Sequence, residues 1–194
     1  MLKGVKYCIN KIPKGLTENL TYLELAYPFD QPINNLPSSI ETLKIGHTFN
    51  QPIDNLPGSI KYLIFSEHGS FNQSVDYLPS SIEKIEFNSD FNHPIDNLGN
   101  KVKYLRFGEG FKHPINSIVK QLKKLEISFN HYYKFNENYL DVEFDDDCEV
   151  IFTIIYFNGD YEFEPEKFDE HHDEVINKMK QKHKNLKIKY KLLD

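Results

Sequence analysis

Apolar and polar residues recur along this chain with a fixed beat. The stretch FDQPINNLPSSIETLKI at 29–45 returns as FNQPIDNLPGSIKYLIF at 49–65 and as FNQSVDYLPSSIEKIEF at 71–87. Aligned on Phe29, Phe49, Phe71, Phe91 and Phe111, the units are spaced 20, 22, 20 and 20 residues apart. Such a period is that of a solenoid, in which stacked coils bury what one coil cannot. In one unit the apolar positions are Phe49, Ile53, Leu56, Ile60, Leu63 and Phe65. The same columns recur as Phe29, Ile33, Leu36, Ile40, Leu43 and Ile45, and as Phe91, Ile95, Leu98, Val102, Leu105 and Phe107.

Leu63-Ile64-Phe65 alternates in, out, in, which is strand periodicity. Its equivalents are Leu23-Glu24-Leu25, Leu43-Lys44-Ile45, Ile85-Glu86-Phe87, Leu105-Arg106-Phe107 and Leu125-Glu126-Ile127. Stacking makes these six a parallel sheet with strands about 4.8 Å apart. The phase sends Phe49, Leu63 and Phe65 inward and Tyr62 and Ile64 outward. Each return leg carries prolines (Pro32 and Pro37, Pro52 and Pro57, Pro94), which lack a backbone donor and disfavour helix before them. Extended or 3-10 segments are therefore predicted on the convex side. Two columns are Asn or Asp: Asp30, Asn50, Asn72 and Asn92, and Asn34, Asp54, Asp76, Asp96 and Asn116. Such side chains satisfy turn donors and reach a neighbouring coil's backbone. The serine pairs Ser38-Ser39 and Ser80-Ser81 fit the same task.

The fold class that follows is a mainly β repeat solenoid with a parallel sheet on one face and an α/β cap at the C-terminal end. We divide it into an N-terminal cap at 1–11, the solenoid at 12–128 and the cap at 129–194. In the cap, YLDVEF (139–144) alternates as a further strand, and EVIFTIIYF (149–157) is strongly β-forming before an Asn158-Gly159 turn. Residues 165–184 read as an amphipathic helix, acidic at its start and lysine-rich at its end, and 185–193 alternates again.

Composition narrows the function classes. A net charge of −6 argues against a general nucleic-acid or anionic-membrane binder. No run of about eighteen apolar residues exists, and the start lacks a signal-peptide stretch, so an intracellular, cytoplasmic protein is expected. Cys8 and Cys148 are the only cysteines and have no metal-like spacing. Ala26 and Arg106 are the only alanine and arginine, while Asn, Lys, Ile, Phe and Tyr abound, as in an AT-rich genome.

The unit F-[ND]-x-P-I-x-x-L-P-x-S-I-x-x-L-x-[IF] over residues 29–128 resembles the FNIP repeat, a short leucine-rich-repeat variant of social amoebae and giant DNA viruses. Residues 12–25 look like a degenerate first unit. The fifth departs, with Lys112 where Asn would stand and Val119 where Pro would. The resemblance implies a leucine-rich-repeat-like solenoid and, for a viral source, an infected host cell. Some family members carry an F-box; residues 1–11 leave no room for one, so ubiquitin-ligase recruitment is not carried over.

Candidate chemistry is sparse. His93 and His113 replace the Gln31, Gln51 and Gln73 of their column; two stacked histidines suit a metal or a pH sensor, but turn hydrogen bonding explains them better. DEHHDE (169–174) lacks zinc-motif spacing, and DDD (145–147) lacks that of a calcium loop. No nucleophile–base pair or phosphate loop is present, so no catalytic residue, metal or cofactor is assigned. Binding residues are expected on the outward strand positions: Tyr22, Tyr62, Ile64, Lys84, Tyr104 and Arg106, of which tyrosine and arginine are types favoured at interfaces. The small residues Ala26, Gly46, Ser66, Asn88, Gly108 and Ser128 flank them and leave a partner room. The competing reading is a self-neutralising charge ladder along the same columns. The function expected is a non-enzymatic module that binds an intracellular protein partner through the sheet face, with no nucleic acid and no membrane. The alternative is a structural component that self-associates into a homo-oligomer through its edges.

Overall fold

The computed structural model describes residues 3–7, 19–130, 142, 144–157, 177–178, 180–181 and 185–193. Nine strands run through them: β1 (Lys3–Tyr7), β2 (Leu20–Leu25), β3 (Thr42–Ile45), β4 (Tyr62–Phe65), β5 (Lys84–Glu86), β6 (Tyr104–Phe107), β7 (Lys124–Asn130), β8 (Glu149–Phe157) and β9 (Leu186–Leu193). They form one sheet in strict chain order, every neighbouring pair parallel. The register follows the repeat: Leu23, Leu43, Leu63, Ile85, Leu105, Leu125 and Val150 line up across seven strands. The solenoid and its leucine-rich-repeat-like sheet are as the periodicity predicts.

The coil interior is apolar and aromatic. Phe49, Leu63 and Phe65 are almost fully buried, as their phase requires. Phe29, Phe49, Phe71, Phe91 and Phe111 stack as a column with ring centroids 6.2, 6.3, 6.1 and 6.0 Å apart. Where the strand ends in phenylalanine the rings also pair within a coil: Phe87–Phe91 and Phe107–Phe111 each at 3.8 Å. Stacked rings at these separations gain dispersion with every added coil. Ile33, Ile53, Val75, Ile95 and Ile115 fill the opposite wall. Leu78 and Leu98 are only partly buried against that core, less than Leu36 and Leu56.

Polar columns hold the coils together from outside. Asp30 Oδ1 accepts the Asn50 amide at 3.0 Å, Asn50 Oδ1 that of Asn72 at 2.9 Å, Asn72 Oδ1 that of Asn92 at 2.9 Å, and Asn92 Oδ1 that of Lys112 at 3.0 Å. Lysine has no acceptor to offer the next coil, so this ladder cannot pass Lys112. Ser39, Ser59 and Ser81 donate to the carbonyls of Leu20, Ile40 and Ile60 at 2.8, 2.6 and 2.7 Å. The return legs are extended and turn segments; among the described residues a 3-10 turn forms only at Val119–Gln121, where valine stands at the position held by Pro37, Pro57 and Pro79.

Toward the C-terminal end the pattern of the repeat stops before the sheet does. Val142, Cys148, Val150 and Phe152 continue the core, and β8 and β9 continue the stack. Of the strand expected at 139–144, Val142 and Phe144 belong to no strand, and β8 pairs directly with β7. The rest of that stretch falls outside the described residues. Of the helix read over 165–184, the described residues 177–178 and 180–181 are helical and the remainder lies outside, as do His171 and His172.

Candidate functional site

The outward face of the sheet is built from two columns. The first runs Tyr22, Thr42, Tyr62, Lys84, Tyr104 and Lys124; the second runs Glu24, Lys44, Ile64, Glu86, Arg106 and Glu126. Parallel pairing in register brings each residue beside its equivalent on the next strand, about 4.8 Å away. All six residues assigned to binding, Tyr22, Tyr62, Ile64, Lys84, Tyr104 and Arg106, therefore lie on one face.

Their surroundings differ. Tyr22 donates its hydroxyl to Glu24 at 2.9 Å, and Lys44 Nζ lies 3.8 Å from the same carboxylate. Burial, then the neighbouring Glu24, pushes the Tyr22 hydroxyl above its ordinary pKa. Lys84 pairs with Glu86 at 2.7 Å and sits over the Tyr104 ring at 4.3 Å; Lys124 lies on that ring at 5.4 Å. The ring is held between two cations. Burial and a hydrogen bond to Glu126 raise the Tyr104 hydroxyl well above the usual range. Burial works against ionisation of Glu126, but hydrogen bonds from Lys124 and Tyr104 together with the charges of Lys124 and Arg106 outweigh it and hold the carboxyl below its ordinary pKa. Lys124 pairs with Glu126 at 2.7 Å and Glu149 at 3.5 Å, and Glu149 pairs in turn with Lys187 on β9.

Arg106 carries a contact that reading along the columns missed. Its Nη2 lies 2.9 Å from Glu67, while the in-register Glu86 is 4.0 Å away. Glu67 belongs to the one unit of 22 residues, whose turn after Phe65 is two residues longer. The extra length lets its side chain reach an arginine two strands on. The signal was the odd spacing.

Tyr62 and Ile64 stand apart. Tyr62 is 37 % exposed and Ile64 half-buried, and no ion pair involves either strand position of this coil. The ladder of charges is thus broken at β4, between Lys44 and Glu86.

The flanking small residues have a different role from the one expected. A Cβ on Gly46 would lie 2.8 Å from the Leu25 carbonyl oxygen, and one on Gly108 would lie 2.4 Å from Ser89 Cα. Glycine stands there because the preceding coil's backbone presses against it, leaving no side-chain space for a partner to use. Asn88 is 0 % exposed and donates Nδ2 to the Gly69 carbonyl at 2.7 Å, and Ser128 is buried, so neither borders an open face. The face also closes toward β8, where Ile151, in register with Glu126, is 2 % exposed.

Other candidates resolve into structure. His93 and His113 place Nε2 at 3.1 and 3.0 Å from the carbonyls of Asn72 and Asn92, the turn bonding expected of glutamine's substitutes. Asp147 pairs with Lys123. Ser66 Oγ lies 3.3 and 3.2 Å from both ring nitrogens of His47, a side-on approach along neither lone pair and unlike a nucleophile held by its base. Among the described residues, no three His, Cys, Asp or Glu side chains gather as a metal site, and no helix is long and apolar enough to cross a membrane.

The repeat itself matches the FNIP Repeat at residues 10–48, 33–68, 49–90 and 71–110, without a gap from 10 to 110 and over half the chain. The chain belongs to the FNIP repeat family. No curated protein matches it. A solved structure titled "The crystal structure of CroV588 a novel circular LRR protein structure", from a giant virus, is similar at 26 % identity and a TM-score of 0.51. The match covers 80 % of this chain and 30 % of that one, so this chain spans under a third of that protein's length. FNIP and leucine-rich repeats build a scaffold-type fold commonly used for protein interaction.

Proposed function

We propose that this FNIP repeat protein is a non-enzymatic interaction module that engages an intracellular protein partner through the outward face of β2–β7. The observation behind it is the break at β4. On a face whose charges pair with one another, Tyr62 and Ile64 form an uncharged, accessible island at its centre. Aromatic and aliphatic residues ringed by satisfied polar groups are the usual anatomy of an interaction hot spot. The test compares proteins captured from host cytosol by the wild-type chain, by Tyr62→Ala and by Tyr77→Ala. Tyr77 is 73 % exposed on a return leg and serves as the control. A partner retained by Tyr77→Ala and weakened by about 2 kcal/mol in Tyr62→Ala, with melting unchanged, supports the reading. A partner lost only in Tyr77→Ala moves the site to the convex side.

Self-association through the edges is the second reading, favoured by β1 and β9 being the two end strands of the sheet among the described residues and by the circular form of CroV588. Against it, Lys187, Lys189 and Lys191 alternate along β9, a common guard against edge-to-edge pairing. Molecular mass in solution across a concentration series separates the two.

A further inference from the structure

The charges around the β4 break also specify what can sit there. Each ionic group of the two outward columns that borders it already has an opposite neighbour: Lys44 with Glu24 at 3.8 Å and Glu86 with Lys84 at 2.7 Å, and one strand further Arg106 with Glu67 at 2.9 Å. A charged partner group would have to break one of these pairs to gain another, and would lose its own hydration in doing so. An uncharged apolar group displaces water from Tyr62 and Ile64 and disturbs no pair. Size is constrained as well. Lys44 and Glu86 lie one strand to either side of Ile64, so the gap is about 10 Å wide between columns, room for one large side chain.

From this charge complementarity we infer that the occupant is a loop or chain end of another protein presenting one uncharged apolar side chain, of leucine, methionine or phenylalanine size, to the Tyr62–Ile64 gap. The inference rests on the sheet-face reading above and adds the chemistry of the partner. It makes the contact nearly independent of ionic strength, because no ion pair forms across it.

The probe is a displayed library of random dodecapeptides selected on the immobilised full chain. Selected peptides should carry little net charge and share one large apolar residue. Their affinity should fall about tenfold or more in Ile64→Lys, survive in Ile64→Val, and stay constant from about 0.05 M to about 0.5 M salt. Lysine at position 64 suits a column that already holds Lys44 and Glu86, and a thermal melt of each variant confirms folding. Charged peptides whose binding weakens with salt yet still fails in Ile64→Lys would overturn the partner chemistry and keep the site. Peptides indifferent to Ile64→Lys would overturn the sheet-face reading itself. A selection that enriches nothing also overturns the inference, since a preformed gap for an apolar side chain must select for one.

Discussion

At the scale of single residues, the outward column shows two kinds of side chain that a one-letter code does not separate. Tyr62 and Tyr104 occupy the same column, yet one is exposed and the other is clasped by Lys84 and Lys124. The sequence makes the column legible through its period. It does not reveal the clasp, which depends on which neighbours two strands happen to bring. Gly108 is similar: its smallness was readable, but its cause, the Ser89 backbone, lies in another coil. Gly108→Ala is expected to destabilise the fold by about 1–3 kcal/mol in urea denaturation, because the crowding atom is backbone and cannot step aside. Glu126 gives a pH test. Its folded pKa lies below the unfolded value of about 4.3, so its contribution is present above that pH and is lost as pH falls through the folded pKa. Glu126→Gln should lower the urea midpoint at neutral pH and flatten its decline in acid, without abolishing it, since Asp76 and Glu149 are shifted the same way.

At the scale of elements, strands, return legs and core columns were all legible because each repeats, and a repeated local choice points to one coil shape. What did not repeat was not legible. The Glu67–Arg106 pair comes from an irregular turn, and the burial of Asn88 from a tuck beneath Gly69. Beyond residue 128 the repeat gives no phase, yet β propensity and alternation alone still locate β8 and β9. The asparagine ladder is the element whose strength is most directly measurable. Asn72→Ala removes the acceptor for the Asn92 amide. Amide exchange at Asn92 should accelerate, with a global cost of about 0.5–1.5 kcal/mol, small because water can reach the orphaned donor.

For the whole molecule, the described residues form a sheet of nine strands in chain order, with β1 at one end and β9 at the other. The C-terminal end is the vulnerable one. Deleting 165–194 removes β9 and leaves β8, a run of apolar residues, as the edge strand. Light scattering should show aggregation; a soluble, cooperatively melting monomer would contradict the capping role. The same strict order has a consequence for synthesis. Parallel sheets ordinarily wait for distant partners, which makes them slow to form. Here the partner of each strand from β3 to β7 was made about twenty residues earlier. A ribosome therefore delivers each coil onto a finished surface, and assembly can keep pace with translation from the second coil onward. When β9 emerges it covers the apolar edge of β8, and until it docks the nascent chain is a template that accepts the next strand it meets.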